Sequence, residues 1–323
     1  MPAGKMHANE LDIDVSLVRR LLAARFPQWA DLPVELVDSH GTSNAMYRLG
    51  EDMVVRLPRV EWAVSDVETE QRWLPRFAAP LPVAIPVPLG MGRPTGDYPW
   101  PWSVYRWLDG ETPAVGRVAE QGVLARDLAE FVTALRLIDP TGGPSANRGV
   151  PLATRDAPTR DAIGKLHTVI DTDTATAAWE AALRAPRWTG PAVWVHGDLQ
   201  PGNLLTVRGR LSAVIDFGCL GVGDPAVDAI VAWSLLTDDA RSVFRAALGS
   251  DDATWARGRG WALSIALIEL SYYRETNPVM AAIARHVIHE VLTDHEPAAP
   301  HGADLKAPEP YQFTPSSSDV MTG

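Results

Sequence analysis

The chain lacks the features that mark secreted, membrane-bound and nucleic-acid-binding proteins. Its 323 residues contain one cysteine, Cys219, which excludes an intrachain disulfide framework. No apolar run approaches the roughly 18 residues of a membrane span, and the sequence does not open with a basic and then apolar signal segment. The net charge of −11 leaves no basic surplus to neutralise nucleic-acid phosphates. We therefore expect a cytoplasmic protein that binds neither a membrane nor nucleic acid.

Several signatures of nucleotide-binding and hydrolytic proteins are also absent. The sequence contains no Gly-x-x-x-x-Gly-Lys-Ser/Thr phosphate loop and no His-Glu-x-x-His zinc motif. The Gly-x-Ser-x-Gly elbow of serine hydrolases is missing as well. Gly90-Met91-Gly92 and Gly258-Arg259-Gly260 lack the complete spacing of a dinucleotide-binding fingerprint. These absences argue against a serine hydrolase and against a dinucleotide-binding domain.

The composition is that of a globular protein with a sizeable core. Hydrophobic residues make up 46% of the chain and charged residues 21%. Strand candidates come first and helices dominate afterwards, which predicts an α+β chain. We place an N-terminal lobe at 1–108 and a second lobe at 109–295. Residues 296–323 are rich in Pro, Ala and Ser and lack periodicity, which predicts a disordered tail.

The predicted elements give this order in more detail. Short apolar runs in the N-terminal lobe predict four strands at Val34–Val37, Ala45–Leu49, Met53–Leu57 and Trp102–Trp107. Helical spacing predicts helices at Asp14–Phe26, Ala63–Phe77, Gln121–Ile138, Thr159–Ile170, Ala175–Leu183, Ala226–Leu236, Arg241–Leu248, Ala253–Tyr273 and Pro278–Leu292.

The most informative stretch is VWVHGDLQPGNLLTVRGRLSAVIDFG, between the fifth and sixth of these helices. It contains two apolar runs around a short turn with a glycine, Leu204–Val207 and Leu211–Ile215. This pattern predicts a β-hairpin, whose open end brings Asn203 and Asp216 together, with Asp198 on the preceding loop. An amide oxygen and two carboxylates that converge in this way suit Mg²⁺ carrying a phosphate.

The stretch resembles the catalytic core of kinase-like phosphotransferases. In protein kinases an Asp precedes an Asn by five positions, and an Asp-Phe-Gly follows. Here the first triplet is His196-Gly197-Asp198, with Gly where protein kinases carry Arg, and Asp224-Pro225 follows the Asp-Phe-Gly. These features are similar to the aminoglycoside phosphotransferase family, which also contains choline and homoserine kinases. The resemblance covers roughly residues 33–293 and implies a bilobal, protein-kinase-like fold.

The resemblance also implies roles for the three metal-friendly side chains. Asp198 would be the catalytic base, and Asn203 and Asp216 would hold Mg²⁺. The nucleotide would be ATP, with GTP as the open alternative. His196 would brace the loop through its ring nitrogens. Asp224 is read as an organiser of the active-site loop or, equally, as a helix cap.

A phosphate clamp needs a cation on an N-terminal strand, where protein kinases place Lys. This chain offers Arg56, a position at which many members of the family carry Arg. Glu70 on the following helix would pair with Arg56 in the manner of the family. Glu68 is the competing choice, but the helical phase favours Glu70, which shares a face with Trp73 and Leu74.

Further nucleotide contacts follow from the same resemblance. Ser43 and Asn44 end a loop, His40–Asn44, that would cover the phosphates. Arg106 and Leu108 lie at the interlobe hinge, where their backbone would meet the adenine edge. The acceptor would bind between the hairpin and the late helices. Candidate lining residues there are Trp233, Asp238, Asp239, Glu269, Tyr272 and Tyr273.

The sequence therefore predicts a kinase that phosphorylates a hydroxyl of a small molecule. The resemblance implies an aminoglycoside-type antibiotic as the leading acceptor class, and the acidic balance of the chain agrees with a cationic substrate. A metabolic kinase for an amino alcohol, a sugar or an amino acid is the alternative. A kinase-like binding protein without turnover and a protein kinase are the other rivals. The sequence leaves the oligomeric state open.

Overall fold

The computed structural model describes residues 10–37, 43–114 and 120–295. The predicted disordered tail lies outside the described residues, as do His40, Gly41 and Thr42 of the predicted phosphate-covering loop. Among the described residues, no helix combines the length and the apolar character that a membrane crossing requires. The division into lobes at residue 108 stays a prediction.

An antiparallel sheet fills the N-terminal part, as predicted, but it has five strands where the sequence predicted four. Its strands are β1 (Val34–Leu36), β2 (Asn44–Leu49), β3 (Met53–Pro58), β4 (Pro88–Gly92) and β5 (Trp102–Arg106). Their spatial order is β1-β2-β3-β5-β4. The sequence did not predict β4, because one proline and two glycines are typical of loops. An edge strand tolerates both residue types, and β4 lies at the edge.

Two helices pack against this sheet. Helix α1 (Val15–Arg25) begins where the Asp14 carboxylate accepts a hydrogen bond from the Leu17 N–H at 2.7 Å, and its buried face joins the core on one side of the sheet. Helix α2 (Val64–Phe77) belongs instead to the larger core that continues into the C-terminal part. Its Trp73 ring lies 4.7 Å from the ring of Trp194. This contact makes α2 an apolar link between the sheet and the segment that precedes the predicted base, Asp198.

The C-terminal part is mostly helical, as predicted. Its helices are α3 (Gln121–Leu137), α4 (Asp156–Lys165), α5 (Thr172–Arg184), α6 (Val231–Ser234), α7 (Asp238–Leu248), α8 (Asp252–Tyr273) and α9 (Pro278–His295). Helix α4 begins earlier than predicted because Pro158 lies in its first turn, where a proline is tolerated. The helix predicted at Ala226–Leu236 is a 3₁₀ helix, Pro225–Ile230, followed by the short α6.

Four short strands lie around the predicted base and metal ligands: β6 (Val193–Val195), β7 (Leu204–Val207), β8 (Arg210–Val214) and β9 (Gly221–Gly223). Strands β7 and β8 form the predicted hairpin. Its two turn residues, Arg208 at φ 52° and Gly209 at φ 74°, have the left-handed conformation that tight hairpins prefer. Strand β6 pairs antiparallel with β9, which lies just after the Asp-Phe-Gly. This pairing places the loop after β6 beside the loop before β9.

Two connecting segments attach the sheet to the hairpin. Ala84 bridges β8, donating to the Ser212 carbonyl at 3.1 Å and accepting from the Val214 N–H at 3.0 Å. Glu111 pairs with Thr206 on the other edge, through hydrogen bonds of 2.9 and 2.8 Å. The hairpin is therefore held on both edges, by the segment that precedes β4 and by the segment that follows β5.

Candidate active site

A buried arginine joins the N-terminal sheet to the Asp-Phe-Gly. Arg56 on β3 donates from Nη1 to both carboxylate oxygens of Glu70, at 2.6 and 2.8 Å. Its Nη2 donates to Asp216 Oδ1 at 2.7 Å. Glu68, the competing partner, is exposed on the far side of α2. The structure therefore pairs Arg56 with Glu70, in agreement with the helical phase.

The charges in this cluster stabilise one another. Burial alone lowers the pKa of Arg56, but the carboxylates of Glu70 and Asp216 outweigh it and hold that pKa well above its ordinary value. Burial likewise raises the pKa of Asp216, yet the Arg56 charge prevails and the pKa of this carboxyl is lowered. Tyr105 donates a further hydrogen bond to Glu70, whose side chain is 1% exposed. The cluster thus keeps a charged cation and an ionised acid at the cleft.

Asn44 completes the environment of Arg56. With its amide oxygen turned towards the guanidinium, Asn44 accepts from Nε at 3.1 Å and from Nη2 at 3.0 Å. Asn44 lies on β2, at the end of the predicted phosphate-covering loop. Ser43 precedes it, and the Ser43 carbonyl accepts from the Arg59 N–H at 2.8 Å. A phosphate role for both residues stays a prediction.

The hinge residues follow β5. The Arg106 N–H donates to the Val87 carbonyl at 3.0 Å, and the Trp107 N–H donates to the Asp52 carbonyl at 2.8 Å. Within the described residues, the Leu108 N–H has no backbone carbonyl as a partner. The Arg106 side chain is exposed. Contact of this backbone with an adenine edge stays a prediction.

The loop between β6 and β7, called the catalytic loop because it contains the predicted base, brings Asp198 and Asn203 together. The Asn203 side-chain amide donates to the Asp198 carbonyl at 2.8 Å and to Asp198 Oδ2 at 3.2 Å. The Ile215 N–H donates to the Asn203 carbonyl at 2.9 Å, which extends the hairpin pairing by one step. Because Asp216 follows directly in sequence, the two predicted metal ligands lie at the same end of the hairpin. Asp198, Asn203 and Asp216 therefore occupy the positions that the hairpin predicted.

His196 braces this loop without a free nitrogen. Its Nδ1 accepts from the Asp198 N–H at 3.2 Å, and its Nε2 lies 3.1 Å from the Ile215 carbonyl. An acceptor at Nδ1 and a carbonyl at Nε2 assign the neutral ring with its proton on Nε2. The imidazole is fully buried against Phe217, with ring centroids 4.7 Å apart. His196 therefore holds the loop against the Asp-Phe-Gly.

Sequence comparison places these residues in a family. The sequence model of the phosphotransferase enzyme family, APH, matches residues 36–261, which include every residue predicted to bind the nucleotide, hold the metal or act as the base. The chain belongs to this family. The predicted family is thereby confirmed, and so is the predicted enzyme class, a phosphotransferase.

One curated relative and several solved structures are similar to this chain. An aminoglycoside 3'-phosphotransferase of Escherichia coli is 37% identical over 65 residues, which are 20% of this chain and 24% of the relative. The match therefore spans about a quarter of that relative's length. The GDP complex of wild-type aminoglycoside 2'-phosphotransferase-IIIa has a TM-score of 0.70 at 19% identity, covering 88% of this chain and 100% of that one.

A second solved structure belongs to another class of phosphotransferase. The apoenzyme of a macrolide 2'-phosphotransferase from Brachybacterium faecium has a TM-score of 0.56 at 21% identity, covering 89% of this chain and 99% of that one. At these identities both structures establish the fold alone. They confirm the predicted kinase-like, bilobal architecture of the phosphotransferase.

A glycine in the catalytic triplet is required by its surroundings. Gly197 has φ +78°, and a Cβ there would lie 2.9 Å from the Cys219 carbonyl oxygen. The backbone amides of His196 and Gly197 both donate to the Asp228 carboxylate, at 3.1 and 2.8 Å. Burial raises the pKa of Asp228. Asp228, rather than Asp224, therefore organises the catalytic loop.

Asp224 has the other role that the sequence allowed. Its Oδ1 accepts from the Ala226 N–H at 3.0 Å and so caps the 3₁₀ helix. Its Oδ2 accepts from Arg257 Nε at 2.7 Å, and this pair is buried. The interpretation of Asp224 as the loop organiser was wrong. The 3₁₀ helix after Asp224-Pro225 places the next acid, Asp228, beside the backbone N–H groups of His196 and Gly197.

Asp66 is a third acid near the Asp-Phe-Gly that the sequence did not identify. A Cβ at Gly218 would lie 2.8 Å from Asp66 Oδ2 and 3.4 Å from Asp216 Oδ1. Burial raises the pKa of Asp66 to about 7, although the Arg56 charge counteracts it. Asp66 lies one helical turn before Glu70, so helical spacing was an available signal.

Two of the residues predicted to line the acceptor site, Trp233 and Glu269, lie in different environments. Trp233 is fully buried against Trp255, with ring centroids 4.8 Å apart, and belongs to the core. The prediction that Trp233 lines a cleft was therefore wrong. Glu269 is connected to the catalytic loop, because Gln200 donates from Nε2 both to Glu269 Oε1 and to Asp198 Oδ1, at 3.1 Å each. Burial raises the pKa of Glu269 to about 7.

Proposed function

We propose that the chain transfers the γ-phosphoryl group of ATP to a hydroxyl of a small molecule, with an aminoglycoside-type antibiotic as the leading acceptor class. One observation carries the proposal. The Arg56–Asp216 contact of 2.7 Å joins a buried cation on the N-terminal sheet to an acid beside the catalytic loop. A phosphate that carries a metal ion needs a cation and a metal-binding acid side by side between the two lobes, and this contact places them so.

The base in this reaction is Asp198. The acceptor hydroxyl transfers its proton to the Asp198 carboxylate while its oxygen bonds to the γ-phosphorus. The bond from that phosphorus to the bridging oxygen of the β-phosphate breaks, and nucleoside diphosphate leaves. Arg56 binds the phosphate oxygens through Nη2, which exchanges its bonds to Asp216 and Asn44 for bonds to the phosphate when the nucleotide binds, while Nη1 stays on Glu70. The backbone of Arg106 and Leu108 receives the adenine edge, and Ser43 and Asn44 cover the phosphates.

Mg²⁺ fits the donor set of the cleft. Asn203 and Asp216 offer an amide oxygen and a carboxylate, and the Asp216 side chain is 41% exposed. Within the described residues, no three His, Cys, Asp or Glu side chains form a ready metal cage. A site with one or two protein oxygens and substrate phosphates is the usual one for Mg²⁺, which would neutralise the phosphate charge.

Similar structures support the binding of a nucleotide and leave open whether its nucleobase is adenine or guanine. Solved structures similar to this chain were determined with GDP and kanamycin, with GDP, and with ADP. ATP is the proposed donor and GTP the alternative. For the acceptor, a metabolic amino alcohol, sugar or amino acid is the second candidate, since Arg148 beside Asp198 balances part of the negative charge that a polycation would seek.

Nucleotide binding with and without Mg²⁺ tests the donor half of the proposal. Calorimetric titration with a non-hydrolysable ATP analogue should give a dissociation constant that Mg²⁺ lowers in the wild type. In Asp216→Asn we expect this dependence on Mg²⁺ to be lost. The neutral amide attracts a dication less strongly than the carboxylate does, and so it offsets less of the cost of removing water from the ion. Asp173→Asn, which changes an exposed acid on α5, is the matched control. Equal Mg²⁺ dependence in Asp216→Asn would refute the metal assignment, and absence of nucleotide binding in the wild type would favour a different function.

A further inference from the structure

An arginine from outside the motif reaches the predicted base. Arg148 lies on the loop between α3 and α4, and its Nη1 donates to Asp198 Oδ1. The same nitrogen lies 3.4 Å from the Gly197 carbonyl oxygen. The side chains of Arg148 and Asp198 are 26% and 22% exposed. Burial lowers the pKa of Arg148, but the Asp198 charge outweighs it and raises that pKa, so the guanidinium stays charged.

The loop that carries Arg148 is fixed to β9. The Val222 N–H donates to the Pro144 carbonyl at 2.8 Å, and the Ala146 N–H donates back to the Val222 carbonyl at 3.1 Å. Beyond Arg148, the Asp224 N–H donates to the Gly149 carbonyl at 2.7 Å. Backbone bonds on both sides of Arg148 therefore hold its Cα in place. A side chain held at its root loses less conformational freedom when its tip is ordered.

The two oxygens of the Asp198 carboxylate have different partners. Oδ1 accepts from Arg148 and from Gln200 Nε2, the latter at 3.1 Å. Oδ2 accepts only from the Asn203 amide among the described residues, at 3.2 Å. Each carboxylate oxygen has about two lone pairs for hydrogen bonds. Oδ1 is therefore saturated, and Oδ2 keeps one lone pair.

We propose that Arg148 is a positioning residue for the reaction: by saturating Oδ1 together with Gln200, it presents Oδ2 as the atom that receives the acceptor's proton. This inference rests on the proposed function. Gln200 is also bonded to Glu269 on α8, so it alone does not fix the carboxylate. Arg148 supplies the charged contact, which is the stronger of the two.

The position of Arg148 separates its role from nucleotide binding. The nucleotide contacts proposed above come from Arg56, Asn44 and the hinge, none of which bonds to Arg148. Loss of Arg148 leaves the Asp198 carboxylate with the neutral amide contacts of Gln200 and Asn203 alone, which hold its orientation less firmly than a charged contact. A misplacement of the base of about 1 Å costs on the order of 100-fold in rate. The effect should therefore fall on kcat, and the KM for nucleotide should change little.

Three full-length variants test this inference: Arg148→Met, Arg148→Lys, and Arg160→Met as the control. Arg160 lies on α4 with a side chain that is 43% exposed. Nucleoside diphosphate release is measured with kanamycin and with the acceptors that raise turnover in the wild type. We expect Arg148→Met to lower kcat about 100-fold with a nucleotide KM within about twofold of the wild type. Arg148→Lys should retain more activity, added guanidinium should partly rescue Arg148→Met, and Arg160→Met should match the wild type.

A crystal structure of Arg148→Met tests the inference independently of turnover. The Asp198 carboxylate should be rotated away from its wild-type orientation or divided between orientations. An unchanged Asp198 orientation would overturn the positioning role, as would an unchanged kcat or an equal loss of kcat and nucleotide affinity. The absence of acceptor-dependent release in the wild type would instead refute the proposed function. The two failures are therefore distinguishable.

Discussion

Glu70 accepts a hydrogen bond from the backbone N–H of Phe217 at 3.1 Å, although the two residues are 147 positions apart in the chain. The bond connects α2 directly to the Asp-Phe-Gly. Glu70 also binds Arg56 through both of its oxygens and accepts from Tyr105. One buried carboxylate therefore contacts α2's neighbours on both sides, namely Arg56, the predicted phosphate clamp, and the Asp-Phe-Gly, which contains a predicted metal ligand.

Glu70→Gln tests this central position. A neutral amide removes the charge that offsets the burial of Arg56, and its NH₂ group faces the guanidinium donors. We expect a loss of about 3 kcal/mol in the free energy of unfolding, as for other broken buried pairs, together with weaker nucleotide binding. Urea unfolding and nucleotide titration measure the two effects. Glu68→Gln, exposed on the same helix, should stay within about 0.5 kcal/mol of the wild type. Equal effects of the two substitutions would contradict this interpretation.

Asp228→Ala tests the organisation of the catalytic loop. It leaves the N–H groups of His196 and Gly197 buried without their acceptor, which costs about 1–3 kcal/mol for each group. We expect a marked fall in the free energy of unfolding, and a fall in kcat beyond what the folded fraction explains, measured at a temperature where the variant remains folded. Asp173→Ala, which replaces an exposed acid on α5, is the control. A variant with wild-type stability and wild-type kcat would show that the two bonds do not order the loop.

Glu269 gives the stability of the protein a dependence on pH. Its pKa is raised from 4.5 to about 7, first by burial and then by the Asp198 charge. Between these values the folded protein binds more protons than the unfolded chain, so this group's contribution to stability falls as pH rises from about 4.5 to 7. Glu269→Gln removes the ionisation. We expect the stability of the variant relative to the wild type to increase across this range and then level off, as followed by chemical unfolding. A constant difference would contradict the raised pKa.

The local motifs were predictable from the sequence. Alternating apolar runs and a Gly-containing turn specify the β7–β8 hairpin, and the hairpin alone brings Asn203 next to Asp216. Helical phase selects Glu70 over Glu68, since one face of α2 must enter the core. The short edge strand β4 was not predictable, because its glycines and proline acquire strand geometry only from the neighbouring β5.

The contacts that adjust the base were not predictable in the same way. Arg148 lies 50 positions before Asp198, in a loop rich in Gly and Pro with no periodic pattern. Its approach depends on the pairing of that loop with β9, a strand of three residues. Asp228 lies only four residues after Asp224, and the sequence alone does not tell which of these two acids accepts from the backbone N–H groups of His196 and Gly197. Long-range backbone pairing decides both cases.

The most direct test of the proposed reaction is acceptor-dependent nucleoside diphosphate release in the presence of Mg²⁺. The wild type and Asp198→Asn are compared over a panel of hydroxylated compounds that includes aminoglycosides and macrolides, with ATP and then GTP. We expect at least one acceptor to raise release above background hydrolysis in the wild type. In Asp198→Asn this increase should fall about 10²–10⁴-fold while nucleotide affinity is retained. If no acceptor raises turnover, or if Asp198→Asn matches the wild type, then the chain is not a phosphotransferase that uses Asp198 as its base.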